Sequence, residues 1–391
     1  MQRNQELVDF EVDPATGDAH VIDASEAGVD LLDSMGGVQR DNHSALTGII
    51  SGRAVDSLRP DVQDILAPFG ALSPVHLALM GHGLSLSDQF WYRAPGPTER
   101  WEDINFFDNE WDPGFGEAVL SGDYARLATC SPDVPDATTS GRGVKAWERN
   151  EDGISLIKCS YRSDGAELMG AKLASDMCAA LFDDGCYVPL DIVERYGKPC
   201  SANPLMLAPD EEFADGNRLF AMAGIQESPE IVEFSITTEV CNTRIGAYAA
   251  IGIEDASAHV ARMACFSCLS LLMDFGPNNF GAIRKVGADA WRAAPIFDYG
   301  GAFGFAVGKG EFSEEFANLF VAKLLFASRF SFLDPSWDWS WYDPRALDGF
   351  EDRIVGAFGP YQDMPSNFGE VIGSVFAMQH AYVNGIASAQ A

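Results

Sequence analysis

An α+β chain of two lobes, the first rich in strands and the second in helices, is what this sequence predicts. Three observations carry it. At 391 residues the chain exceeds one ordinary domain. Between Lys145 and Leu207, short apolar segments alternate with turn residues, among them an Asp152-Gly153 hairpin signal. Beyond Ile225, apolar residues recur at helical spacing over long stretches. Hydrophobic residues make up 47% of the chain, enough to fill the core of both lobes.

In chain order, residues 1–60 are acidic and Gly-rich and read as an irregular arm, partly helical near Ser44–Ser51. Short helices are expected at Pro60–Leu66 and Pro74–Met80, where proline opens each and Gly83 closes the second. Lys145–Arg149 and Ile154–Cys159 read as paired strands, followed by a helix over Ala166–Phe182 with Leu168, Leu173, Met177 and Leu181 on one face. Strands are expected again at Tyr187–Val193 and Ala202–Leu207. A helix over Ala256–Leu272 follows, then a hairpin of Gly281–Val286 and Ala293–Phe297, then helices over Ser313–Phe330 and Asn367–Ile386. The division that results is 1–80, an arm with short helices; 81–222, a strand-rich lobe; and 223–391, a helical lobe.

The net charge of −32, from 26 basic and 58 acidic residues, argues against direct binding to nucleic acid, whose phosphates it would repel. It leaves a nucleotide open, because a nest of backbone N–H groups and one lysine can outweigh the global field locally. Met1 to Glu6 lack the apolar core of a signal peptide and no run reaches membrane-spanning length, so a cytoplasmic protein without a membrane partner is expected. The eight cysteines are scattered and read as reduced thiols. Cys265 and Cys268 form a lone pair in an apolar helix and read as core packing, and the six histidines show no metal spacing.

Chemistry concentrates in two places. Asp274 is followed five residues later by Asn279, the spacing at which a kinase catalytic loop sets a proton-accepting carboxylate and a magnesium ligand. Asp298 then ends the apolar run Ile296-Phe297 and precedes Tyr299-Gly300, the frame in which kinases present their second metal ligand. Asp274-Phe275-Gly276 also spells that metal triplet, but this register leaves no Asp-x4-Asn element upstream. Hard oxygen ligands suit Mg2+, and Mg2+ suits a triphosphate, so the pattern implies ATP. In the first lobe, Ser140-Gly141-Arg142-Gly143 is a small-residue loop whose glycines let backbone N–H groups face phosphate. Lys158 interrupts the apolar strand that follows, placed to meet the α/β-phosphates, and Glu167 on the next helix is the residue to orient it.

These segments together resemble the HipA-like Ser/Thr kinases, and more closely proteins with a C-terminal HipA-type kinase domain. The resemblance rests on Leu84-Ser85-Leu86-Ser87-Asp88-Gln89-Phe90-Trp91, Trp101-x2-Ile104-Asn105-Phe106-Phe107, Gly143-Val144-Lys145-Ala146-Trp147, Leu156-Ile157-Lys158, Asp274-x4-Asn279-Phe280-Gly281 and Ala294-Pro295-Ile296-Phe297-Asp298, in order over about residues 80–305. It implies a two-lobed protein-kinase-like fold and an ATP- and magnesium-dependent phosphotransferase acting on a protein. Asp274 is then the catalytic base, Asn279 and Asp298 the metal ligands, and Lys158 the phosphate contact. It further implies Ser140 as a place of autophosphorylation and a regulatory, antitoxin-like protein partner. Where the family reads Asn-x-Asp-Arg-His, this chain reads Leu272-Met273-Asp274-Phe275-Gly276. That departure carries the alternative, a catalytically weak nucleotide-binding scaffold that acts through protein interaction. A carboxylate-metal hydrolase is the third reading, for which the chain offers no paired-carboxylate motif.

Overall fold

The computed structural model describes every residue except 37–41, 97, 162–164, 226–235, 273, 275, 305–331, 360–366 and 390–391. The chain divides into two compact units. One comprises Met1–Cys159, Glu194–Gln226 and Ile283–Trp291; the other comprises Ser160–Val193, Glu227–Ala282 and Arg292–Ala391.

In the first unit, β1 (Val8–Val12) and β2 (Ala19–Ala24) form an antiparallel hairpin. Gly17 turns it at φ +82°, and a Cβ there would come within 3.0 Å of Val75 Cγ2, so the turn needs glycine twice over. Helices Glu26–Gly36 and Asn42–Gly52 follow. Where residues 1–60 are described, the expected irregular arm is a hairpin with two helices, of which Asn42–Gly52 covers the helix expected near Ser44–Ser51. Its signal is weak locally because the apolar positions are thinly spread. Ala19, Leu32, Ala45, Leu46 and Ile50 form a core only when they meet Val75 and Ala78. The helices Val62–Leu66 and Pro74–Met80 stand where expected, and the Ser73 hydroxyl caps the second by accepting from the His76 N–H at 3.1 Å.

Two further cores complete this part. Val62, Ile65, Leu66 and Leu77 pack with Phe115, Val119, Leu127 and Val134. Leu84, Leu86 and Trp91 pack with Trp101, Phe106 and Phe107. The Leu84–Trp91 segment has little regular structure, and the buried Arg53 holds it: its guanidinium donates to the carbonyls of Gly83 (2.6 and 3.0 Å) and Phe90 (2.8 Å) and pairs with Asp88. A buried charge so fully hydrogen-bonded fixes a loop that apolar packing alone would leave loose.

A four-stranded sheet has the order β3-β4-β6-β5, with β3 at Lys145–Asn150, β4 at Gly153–Cys159, β5 at Asp191–Arg195 and β6 at Lys198–Pro204. The β3–β4 hairpin closes as its sequence suggests, Asn150 pairing with Gly153. β5 starts four residues after the expected strand and β6 four before. The missed signal is the two-residue turn Tyr196-Gly197, both at positive φ (+52° and +70°), which is a tight hairpin turn with an untypical first residue. A third sheet runs β7-β8-β9, formed by Glu211–Asp215, Gly281–Lys285 and Trp291–Ala293. Glu212, fully buried, is held there by Arg284 at 2.6 Å and Arg218 at 3.7 Å.

The second unit is built on helices Ala166–Leu181, Thr238–Ala250, Ala256–Ser270, Phe350–Phe358 and Phe368–Ser388. Three of these were legible from periodicity to within about two residues at each end. The helix expected over Ser313–Phe330 lies outside the described residues. Cys265 and Cys268 are core packing, 0% and 2% exposed. The Trp-rich segment Phe332–Tyr342 is pinned by its indoles. Trp337 and Trp339 are each 3% exposed, the Trp337 N–H donates to Asn242 Oδ1 at 3.1 Å, and Trp341 lies 5.6 Å from the Arg262 guanidinium. The architecture is thus α+β, with the antiparallel pairs β1–β2, β3–β4 and β4–β6 in the first unit and helices dominating the second. Among the described residues, no single helix is long and apolar enough to cross a membrane.

Candidate functional site

Lys158 stands in the interior strand β4, paired with Lys145 on β3 and Ser201 on β6. Strand alternation turns Ile157 into the core at 1% exposure and Lys158 to the opposite face, half-buried. The register thus sets two lysines, Lys145 and Lys158, directly across from each other on neighbouring strands. Lys145 Nζ also donates to the Ser140 carbonyl at 2.6 Å, tying the root of the Ser140–Gly143 loop to β3. Gly141 is at φ +85°, and a Cβ there would come within 2.7 Å of Lys145 Nζ. The Thr138 and Thr139 hydroxyls point inward, donating to the carbonyls of Leu84 at 2.7 Å and Asp136 at 2.9 Å, whereas Ser140 is exposed. Of the hydroxyl residues at 138–140, Ser140 is the one presented to solvent. Lys145 entered the sequence reading only as part of a motif; the cross-strand register that sets it opposite Lys158 is a property of the pairing.

Asp136 governs where that loop begins. Its Oδ1 accepts the Trp147 N–H at 2.7 Å, it is 3% exposed, and its Oδ2 has no hydrogen-bond partner. Burial raises its carboxyl from 3.8 to about 7, opposed by the Trp147 N–H and the positive charge of Arg59. A carboxyl whose folded value exceeds its unfolded value holds its proton more tightly when folded. Its contribution to stability is therefore greatest in acid and is lost as pH climbs from about 4 to about 7. Asp136→Asn keeps the acceptor and abolishes the titration. Urea denaturation should show the variant gaining on the wild type by about 2–3 kcal/mol between about pH 5 and pH 8. A difference that stays constant across that range would show that Asp136 is ionised in the folded chain at the lower pH.

In the second unit, the helix Ala256–Ser270 ends on Leu271 at φ +56°, and the Leu272 N–H donates back to the Ser267 carbonyl at 3.1 Å. This turns the chain into Asp274. Asn279 Nδ2 donates to the Asp274 carbonyl at 3.2 Å and closes the Asp-x4-Asn segment into one loop. The exit of the loop is locked to the helix Thr238–Ala250. Phe280 lies under the Arg244 guanidinium at 4.1 Å, and the Tyr248 hydroxyl donates to the Gly281 carbonyl at 3.1 Å. Arg244 is 1% exposed, and burial lowers its value to about 10. Neither residue stood out in the sequence, since both lie in an ordinary helical repeat.

The approach to Asp298 is equally held. The Ala294 N–H donates to the Gly281 carbonyl at 2.9 Å, setting this segment beside the end of the Asp274–Asn279 loop. Ile296 exchanges backbone hydrogen bonds of 2.8 Å with Cys186 and Val188. The Tyr299 hydroxyl, buried, is shared between the carbonyls of Val188 (2.7 Å) and Ile296 (2.9 Å). Between these fixed neighbours Asp298 adopts φ +60°, a conformation costing on the order of 1 kcal/mol outside glycine and tolerated best by Asn and Asp. Such strain persists only where the surroundings impose it, as Ile296 and Tyr299 do here.

Glu167 is 3% exposed and its Oε1 accepts the Ser160 hydroxyl and the Tyr161 N–H, the latter at 2.9 Å, so it clamps the chain entering its own helix. Lys158 belongs to the first unit; Glu167, Asp274, Asn279 and Asp298 belong to the second. Among the described residues, no group of three or more His, Cys, Asp and Glu is gathered to hold a metal. A carboxylate and an amide oxygen are donor types that Mg2+ accepts, with water and substrate phosphate as its other ligands.

No protein-family model matches the chain, and no curated protein matches it. Among solved structures it is similar to the Helicobacter pylori proinflammatory kinase CtkA, with 11% identity, 64% of this chain and 92% of that one covered, and a TM-score of 0.42. It is also similar to the Shewanella oneidensis MR-1 toxin–antitoxin system of HipA and HipB with its operator DNA, with 10% identity, 98% and 96% covered, and a TM-score of 0.49.

Proposed function

We propose that this chain is a cytoplasmic, ATP- and magnesium-dependent protein Ser/Thr kinase of the HipA-like type, with a two-lobed kinase-like fold and a protein as substrate. The observation that carries the reading is the closed Asp274–Asn279 loop, whose exit lies beside the segment that holds Asp298 at its strained φ. In this reading Asp274 accepts the proton of the substrate hydroxyl as its oxygen attacks the γ-phosphorus and ADP departs. Asn279 and Asp298 would hold Mg2+, whose charge would screen that of the phosphates. Lys158, with the backbone of Ser140, Gly141 and Gly143, receives the phosphate chain. Phosphorylation of Ser140, the exposed hydroxyl of the loop, would add charge where those phosphates sit and so lower activity. An antitoxin-like protein partner belongs to the same proposal, with no direct contact to nucleic acid.

One observation favours a second reading. Leu272 is 5% exposed and stands where the family pattern has a polar Asn, so an apolar side chain that cannot hydrogen-bond to the loop occupies that position. A displacement of about 1 Å there costs on the order of 100-fold in rate. A nucleotide-binding scaffold follows if the loss is complete. Incubating the full chain with γ-labelled ATP and Mg2+ separates the two. Labelling of the chain or of an added protein supports the kinase. Magnesium-dependent ATP binding without labelling supports the scaffold. Absence of both overturns the proposal.

A further inference from the structure

Cys159 ends β4 and Cys200 lies directly across from it on β6 in the antiparallel register. Their Sγ atoms are 3.5 Å apart, with the Cys200 S–H donating to Cys159, and both are free thiols. Antiparallel partners have Cα separations of about 4.5–5.5 Å, within the range that a disulfide spans. The two sulfurs are not equivalent. Cys200 is wholly buried, whereas Cys159 is partly exposed.

Their electrostatic settings diverge in the same sense. The Cys159 thiol is lowered to about 7, first by the hydrogen bond from Cys200 and then by the positive charges of Lys198 and Arg59, against the effect of burial. Cys200 is pushed upward by the proton it shares with Cys159 and by burial. Lys198 is held in place by the carbonyls of Leu120 at 3.0 Å and Ser121 at 3.2 Å, so its charge is a fixed feature of the site. A thiolate that is accessible, with a second thiol in contact behind it, is the arrangement of an attacking and a resolving cysteine.

We infer that Cys159 and Cys200 form a redox-modification site that takes a hydroperoxide as oxidant and closes a cross-strand disulfide. The Cys159 thiolate attacks the terminal oxygen of the hydroperoxide. The O–O bond breaks, and the leaving oxygen departs as water or an alcohol after taking a proton. Cys159 is then a sulfenic acid. The Cys200 sulfur attacks the Cys159 sulfur, the S–O bond breaks, and the hydroxyl leaves as water with the Cys200 proton. Two thiols thus lose two protons and two electrons, and the hydroperoxide is reduced. Lys158 immediately precedes Cys159, so the bond would fasten the end of the strand that carries this lysine. The modification itself stands independently of the kinase reading.

The test treats the full-length chain with hydrogen peroxide, alkylates it, and maps its peptides by mass spectrometry. Titratable thiols should fall from eight to six, with a linked peptide pair containing Cys159 and Cys200 that dithiothreitol releases. Cys130 and Cys186, also partly exposed, are internal controls and should remain alkylatable. In Cys200→Ala the midpoint of Cys159 alkylation should rise from about 7 toward the ordinary 9.0. Peroxide should then leave Cys159 as sulfenic or sulfinic acid. Oxidation appearing first at Cys130 or Cys186, or over-oxidation of wild-type Cys159 with no bond to Cys200, would overturn the inference.

Discussion

Asp298→Ala should abolish magnesium-dependent ATP binding. Under the proposed function Asp298 supplies the negative charge among the two proposed metal ligands, and its removal leaves of these only the neutral amide oxygen of Asn279. Outer-shell substitutions at metal sites already cost roughly 10–100-fold in affinity, so loss of a direct ligand should exceed about 100-fold. Asn279→Ala, which removes the amide oxygen and also the bond that closes the Asp274 loop at 3.2 Å, should weaken binding by a smaller factor. The backbone at Asp298 complicates a simple alanine change, because φ +60° disfavours alanine by about 1 kcal/mol. Asp298→Asn resolves this. Asparagine tolerates that conformation and keeps the shape, so folding is preserved while the charge is lost. Isothermal calorimetry with Mg2+ present should show both Asp298 variants failing to bind. Affinities equal to wild type in Asp298→Asn and Asn279→Ala would remove both residues from the metal site.

Asp274→Asn should separate chemistry from binding. The change conserves size and hydrogen-bonding capacity but removes the basic carboxylate, and a general base contributes about 10²–10⁴-fold. Phosphoryl transfer should therefore fall by at least two orders of magnitude while Mg-ATP affinity is retained or rises slightly, since one negative charge near the γ-phosphate is gone. The backbone carbonyl of Asp274, which accepts from Asn279, is untouched by the substitution, so the loop should keep its closure. Labelling by wild type and variant at equal rates would remove Asp274 from the mechanism. If neither labels and both bind Mg-ATP, the scaffold reading stands and the buried Leu272 is the first residue to restore to a polar one.

Helical periodicity was read correctly for three helices, and turn chemistry for one hairpin. Ala166–Leu181, Ala256–Ser270 and Phe368–Ser388 carry continuous apolar faces, and the β3–β4 hairpin carries its own turn signal. Local pattern failed where the deciding contacts came from afar. The hairpin Val8–Ala24 is ordered by Val75 and Ala78, and β5 and β6 shifted because Tyr196 accepts a positive φ that its side chain gives no reason to expect. The candidate site divides in the same way. Asp274 and Asn279 were visible as spacing, because a loop that must close on itself fixes its own separation, and Asp298 was visible in its frame Ile296-Phe297-Asp298-Tyr299-Gly300.

What supports those residues was not visible. Arg244 and Tyr248, which grip Phe280 and Gly281, come from a helix some thirty residues earlier, and Tyr299 reaches Val188 across more than a hundred. Asp136, Lys145 and the Cys159–Cys200 pair likewise gain their chemistry from neighbours in space. An isolated carboxyl, ammonium or thiol is ordinary; burial, an opposing lysine and a sulfur at 3.5 Å are not. Composition and spacing by themselves therefore determined the α+β class, three of the long helices and the residue types of the candidate site, all of which depend on short-range geometry. Strand register, the strained backbone of Asp298 and the pairing of the two thiols were decided only by the tertiary structure, because each depends on which distant groups it brings into contact and how far it excludes water from them.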